Sequence, residues 1–285
     1  MTDFFLRDFF VISAANFCLL FPHSHILFSK VEKDNSTKAR LLGIKNKTKL
    51  KTILSCGNTA KSSRGSYWPA STIKILPAIA VLRKGINPKT HVRMKRYRGT
   101  VRQLLRLALT VSSNKAYDSL VDLVGLDYVN TTAKQLGLKH TWLTRAYGRR
   151  GSLRFSAGYW LGKKYIPPKW AKLKNSKCRA NCTSFKDLQK LMLHATRYKE
   201  LRRWTIRSRK RNRLAKVVKR FYPKAKLYCK GGYVAYHHGL TNCRLGKYFI
   251  TIGIPCKSWK SWWRNNKKQV RIAEIVLFCY KGKKF

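Results

Sequence analysis

Residues 71–85 read STIKILPAIAVLRKG, an apolar stretch with helical spacing that is entered through Pro69 and Ala70 and stopped by Gly85. The chain carries 63 Lys plus Arg against 10 Asp plus Glu, a formal net charge of +53. In so cationic a molecule this stretch restricts the fold most, because a helix apolar on nearly every side has to be buried and the rest built around it. Its first turn contains Ser71 and Lys74. With 44% apolar and 12% aromatic residues, 285 residues suffice for a substantial core in one large domain or two small ones.

The segments on either side differ in kind. From His25 to Cys56 short apolar runs (ILFSKV, ARLLGI, KTILSC) alternate with polar spacers, which predicts two or three strands, and Gly57–Gly65 reads as a polar loop. Thr100–Val124 has helical spacing on both sides of a polar break at Ser112–Asn114, giving two helices joined by a turn. Asp127–Leu136, closed by Gly137, and Thr183–Tyr198, capped by Thr183 or Ser184, predict two more. Arg145–Trp170 has no period and reads as a long loop. Lys226–Tyr236 and Cys243–Pro255 read as strands, and Gln269–Tyr280, with IAEIVLFC, as a final helix. The order implies an α+β fold: one sheet from both ends of the chain, about 25–88 and 215–285, with a helical subdomain of about 89–214 inserted. Residues 25–285 then form a single domain.

The remaining composition bears on setting and partners. Lys and Arg are spread along the whole chain, denser only at Arg202–Arg213 and Lys216–Lys226, and no zinc-finger, helix-turn-helix or RNP pattern accompanies them. The charge either solvates the surface or draws the protein to an anionic polymer such as nucleic acid or a wall polymer. Eight cysteines suit an exported, partly disulfide-bonded chain; Cys178 and Cys182 suit a local disulfide or free thiols better than a metal, since no second Cys or His pair follows at finger spacing. Residues 1–24 hold the uncharged stretch VISAANFCLLFP, a signal or anchor on one reading and a first helix packed on the core on the other. Asp3 and Asp8 weaken the signal reading, so a place in the cell envelope, periplasm or medium is an expectation with a weak leader. His237 and His238, just after KGGYVAY, read as strand-end polar groups rather than as shapers of a cleft mouth, Asp118 and Asp122 as helix-surface partners of nearby cations. Trp259, Trp262 and Trp263 in KSWKSWWRNNKK suit stacking on sugars or bases, a membrane interface, or a cover for the sheet.

Ser71 and Lys74 put a hydroxyl and an amine three residues apart on one helix face. A serine hydroxyl is scarcely ionised at neutral pH, whereas a lysine desolvated near other cations is pushed toward its neutral form and can take the serine's proton. Chance also produces this spacing in a lysine-rich chain, with Ser71 merely at a helix start. Two further elements follow in order: Ser112-Ser113-Asn114 at the helix break, and Lys230-Gly231-Gly232 opening a late strand.

Together these match the Ser-x-x-Lys, Ser-Asp-Asn and Lys-Thr-Gly set of β-lactamases and penicillin-binding proteins. Over roughly residues 66–256 the chain resembles the class A β-lactamase-like family, through WPASTIKILPAIAVL, TVRQLLRLALTVSSNKAYDSLV, TSFKDLQKLMLHA and KGGYVAYHHG. The resemblance implies an antiparallel sheet flanked by terminal helices, with the helical subdomain inserted. It also implies a cofactor-free serine hydrolase that acts, as a monomer, on a β-lactam or a peptidoglycan-type peptide. Ser71 would be the nucleophile, Lys74 the base and Ser112 the proton relay. Asn114, Lys230, Gly231 and Gly232 would bind substrate, and the backbone N–H groups of Ser71 and Tyr233 would form the oxyanion hole.

The departures from that pattern set two expectations against each other. Ser113 stands where the family has an aspartate, and Gly231 where it has a hydroxyl-bearing residue. Class A enzymes activate the deacylating water with an omega-loop glutamate, yet Leu143–Lys177 has no Asp or Glu, leaving Tyr147 or a lysine-held water as stand-ins. One expectation is therefore an acylating hydrolase, a β-lactamase, D,D-peptidase or esterase. The other is a catalytically weak or inactive relative whose cationic surface binds an anionic polymer.

Overall fold

The computed structural model describes residues 25–33, 48–56, 68–148, 153–172, 178, 180–208, 227–234, 238–246 and 248–255. It begins with β1 (His25–Lys33), β2 (Thr48–Cys56) and a 3-10 turn (Ala70–Lys74) that runs into α1 (Ile75–Arg83). Next come β3 (His91–Met94), β4 (Tyr97–Thr100), α2 (Val101–Arg106) with a π-helical continuation (Leu107–Val111), α3 (Asn114–Val124) and α4 (Leu126–Gln135). Four short strands follow, β5 (Phe155–Ser156), β6 (Tyr159–Leu161), β7 (Lys164–Ile166) and β8 (Lys169–Trp170), then α5 (Phe185–Ala195) and α6 (Lys199–Ser208). The described chain ends in β9 (Leu227–Val234), β10 (His238–Leu245) and β11 (Tyr248–Pro255).

The main sheet has the order β2-β1-β11-β10-β9, antiparallel throughout, so its strands come from both ends of the described chain. β9 is an edge strand, tied to β10 by a disulfide between Cys229 and Cys243, which lie directly opposite each other. Cys178 and Cys182 form the second disulfide. The apolar run takes the central place: Ile75–Val81 of α1 are all buried, and α1 packs on α3, α4 and α5. Pro77 is accepted because it lies in the first helical turn, where no intrahelical N–H bond is lost. α5 lies on β10 and β11 and is pinned by buried amides. Asn242 Nδ2 donates to the Leu188 carbonyl at 2.7 Å, and Gln189 Nε2 to the Leu27 carbonyl at 2.8 Å.

Four local expectations change. Ser71 sits in a 3-10 turn ahead of the α-helix, not in an α-helical turn. The Cys243–Pro255 run is the end of β10, a turn with Gly246 at φ 55°, and β11, because a tight glycine turn leaves the apolar run almost unbroken. Arg145–Trp170 holds β5 to β8, strands of two or three residues that are too short to show a period. The inserted region therefore carries, beside its helices, a four-stranded sheet β4-β3-β6-β7 and the pair β5-β8. The expected N-terminal element, the ARLLGI strand and the final helix lie outside the described residues, as do Trp259, Trp262 and Trp263.

Candidate active site

Three elements converge on one corner: the 3-10 turn with Ser71 and Lys74, the break between α2 and α3 with Ser112–Asn114, and edge strand β9 with Lys230–Tyr233. β9 packs directly on the turn. A Cβ on Gly232 would stand 2.5 Å from the Ser71 nitrogen and 2.8 Å from the Ala70 Cβ, so the third motif needs a glycine there for close backbone approach. Ala70 and Ser112 are the only non-glycine residues with positive φ among those described, at 49° and 61°. Each such conformation costs on the order of 1–3 kcal/mol, and both occur in this corner. The π-helical turn ends at Ser112, turning its carbonyl and side chain out of the helical ladder.

Lys74 is fully buried and lies toward Ser112 and Asn114. Its Nζ donates to the Ser112 carbonyl and, at 2.6 Å, to Asn114 Oδ1, and lies 3.4 Å from Ser112 Oγ. Lys230, also buried, donates to Ser112 Oγ at 2.8 Å. The Ser112 hydroxyl thus bridges two lysines. Burial, with the neighbouring Lys230 charge second, brings the Lys74 ammonium down to about 7, against a smaller opposing pull from Asp118. Burial alone brings Lys230 down to about 8. With two N–H groups of a neutral amine taken by the Ser112 carbonyl and Asn114, the Lys74 lone pair is left to accept a proton. Ser113, the residue in place of the aspartate, caps α3 by accepting from Ala116 N.

The loop that follows α4 forms another wall, and its first residues are tied backbone by backbone. Asn130 exchanges two hydrogen bonds with Leu143, at 2.9 and 3.0 Å. Asn181 Oδ1 accepts from the N–H groups of Thr144 and Arg145, both at 2.8 Å. Asp118 accepts from Tyr147 N at 2.9 Å and Gly148 N at 2.8 Å. Asp118 is therefore a buried loop anchor, correcting its reading as a helix-surface residue; the signal was hidden because its partners lie 29 and 30 residues away. Gly148 rests on the first turn of α3, where its Cβ would come within 2.7 Å of the Asn114 carbonyl carbon.

Tyr147 stacks on Tyr117 with ring centroids 4.8 Å apart, and burial pushes its hydroxyl up to about 12, which unfits it as a base near neutral pH. His238 opens β10, while His237 lies outside the described residues. Among the described residues no cluster of His, Cys, Asp or Glu is arranged to hold a metal.

The family model of the beta-lactamase enzyme family matches residues 54–242. No curated protein matches the sequence. Solved structures of similar fold include a class A beta-lactamase from Bacteroides cellulosilyticus DSM 14838, at 14% identity and TM-score 0.61, covering 96% of this chain and 100% of that one. A beta-lactamase from Sphaerobacter thermophilus DSM 20745 shares 14% identity at TM-score 0.58, covering 93% and 96%. The chromosome-encoded beta-lactamase of Vibrio parahaemolyticus shares 15% at TM-score 0.55, covering 91% and 95%.

Proposed function

Since the chain belongs to the beta-lactamase enzyme family, we propose that it acylates Ser71 with a β-lactam or an acyl-D-alanyl peptide and releases the acyl group slowly. The observation that carries this is the Ser112 hydroxyl held between Lys230, at 2.8 Å, and a buried Lys74, at 3.4 Å. Neutral Lys74 takes the Ser71 proton, and Oγ adds to the carbonyl carbon. The oxyanion lies between the N–H groups of Ser71 and Tyr233, donors each worth about 2.7–4 kcal/mol. The carbon–nitrogen bond then breaks, and the proton passes from Lys74 through Ser112 to the leaving nitrogen. Because Ser112 Oγ accepts from Lys230, its own proton is free to travel. Lys230 receives the substrate carboxylate at the Gly231–Gly232 edge, and Asn114, with Oδ1 on Lys74, presents its Nδ2 to the substrate amide.

Slow release follows from the loop. It holds no carboxylate, Tyr147 stays protonated, and the oxygens of Asp118 accept loop N–H groups. Penicillin binding, or a D,D-peptidase or esterase reaction, fits this better than efficient β-lactam hydrolysis. The two disulfides among the described residues suit a place in the cell envelope or outside the cell.

A fluorescent penicillin should label the protein covalently, and nitrocefin should give a stoichiometric burst followed by slow turnover. Label surviving in Ser71→Ala would overturn the assignment. The net charge of +53 favours a second reading, an inactive relative that binds an anionic polymer; steeply salt-dependent polymer binding without any labelling would establish it.

A further inference from the structure

The outer face of the loop is built differently from its inner end. Ser156 and Tyr159 turn inward and are used up on α3: Ser156 Oγ donates to the Asp122 carbonyl at 2.9 Å, and Tyr159 Oη to the Leu123 carbonyl at 2.7 Å. Their neighbours Phe155 and Trp160 are 40% and 39% exposed, and their cross-strand partners Trp170 and Tyr165 are 73% and 50% exposed. Four of the five large apolar side chains exposed among the described residues thus belong to one segment of sixteen residues, 155–170. Exposed cations, among them Arg93, Lys163, Lys164 and Lys169, border them. From Tyr128 to Lys186 the sequence has no Asp or Glu.

We infer that this face docks on an anionic lipid surface, with Phe155, Trp160, Tyr165 and Trp170 entering the headgroup layer. Charge complementarity requires an anionic partner, and ring packing chooses among anions. A nucleobase needs a bare ring face on which to stack. Here Arg93 already lies over the Trp160 ring, 5.5 Å from its centre, and Tyr165 leans on it at 5.3 Å. Phe155 and Trp170 lean on each other at 5.0 Å. Each pair sets partly exposed aromatic rings, already packed on one another, beside ammonium groups, the combination that settles at a membrane–water interface. Lys163 and Lys164 stand at the turn joining Trp160 to Tyr165, where they meet headgroups as the rings enter. No described helix is long and apolar enough to cross a membrane, and the docking is of this face onto the surface. It rests on the loop face alone and holds whether or not Ser71 is acylated.

The test must separate ring insertion from the general attraction of a +53 protein. Co-sedimentation would use vesicles of equal parts phosphatidylcholine and phosphatidylglycerol, in low salt and in about 1 M salt, where the screening length falls to ~3 Å. Wild type should stay bound in high salt. Trp160→Ser/Trp170→Ser should bind at least about tenfold more weakly there and little differently in low salt, whereas Lys163→Gln/Lys164→Gln should weaken binding mainly in low salt. Trp170→Ser alone, at the most exposed of these rings, provides a variant that keeps its fold, checked by thermal melting. Equal high-salt binding of wild type and both tryptophan variants would overturn the proposal. So would oligothymidylate binding that is lost in the tryptophan variants while vesicle binding is kept, which would assign the face to single-stranded nucleic acid.

Discussion

Two regions border the first turn of α3 and are built by opposite means. On one side Lys74 reaches Ser112 and Asn114; on the other Gly148 lies against the Asn114 and Lys115 backbone. The first region buries two ammonium groups without burying a carboxylate between them, so both are pushed toward neutrality. The second buries a carboxylate, Asp118, and spends it on two backbone N–H groups. One region uses burial to make groups reactive, the other to hold a loop still. The loop is held in place while its segment Leu143–Lys177 carries no carboxylate, so in the proposed reaction acylation and release rest on different regions of one fold.

The largest test of that contrast removes the reactive group. Lys74→Met should lower the rate of Ser71 acylation by roughly 10²–10⁴-fold, the usual contribution of a positioned base. It should also raise the melting temperature, because a buried cation is exchanged for an apolar chain of similar length. Labelling at the wild-type rate would mean that Lys74 is only structural. Next in size is Gly232→Ala, which forces β9 away from the Ser71 turn; a displacement of about 1 Å at a reacting centre costs on the order of 10²-fold. Stopped-flow acylation by nitrocefin measures both.

The pH dependence sharpens the comparison further. In the proposed reaction Lys74 acts as neutral amine, so acylation should rise with pH through about 7, roughly tenfold per unit on the acidic limb. The same proposal has Lys230 act as ammonium, so the rate should fall as pH passes about 8. The result is a narrow bell. Folding linkage has a definite sign as well: between about 7 and the ordinary lysine value of 10.5 the unfolded chain binds the extra proton at Lys74, so stability should rise with pH across that window. A flat acylation profile from pH 6 to 9 would mean that neither lysine titrates in the reaction.

How much of this was legible in advance depended on how local each signal is. The 71–85 run predicts its own burial, and α1 lies at the centre of the core. Ser71, Lys74, Ser112 and Lys230 could be gathered from motif order, although Lys230 lies within β9 and not at its opening. The reason for Gly232 could not, since it is a backbone distance between segments 161 residues apart, nor could the anchors Asn130, Asn181 and Asp118. Each of these presents an unremarkable polar residue in sequence, and its meaning lies in which loop backbone it meets. Strands β5 to β8 escaped for the opposite reason: two or three residues cannot display a period of two.

Asp118 provides the smallest and most discriminating test, because it belongs to both regions. Its carboxylate accepts two loop N–H groups, and its charge holds the Lys74 value up against the larger effects of burial and Lys230. Asp118→Asn keeps the volume but leaves one accepting oxygen for two donors, which should cost about 1–3 kcal/mol of stability. Removing the negative charge should also let the Lys74 value fall further, so the acidic limb of the acylation profile should move below its wild-type position near pH 7. A residue that only anchored the loop would lower the melting temperature and leave that limb in place. If both move, Asp118 both anchors the loop and tunes the base of the proposed acylation.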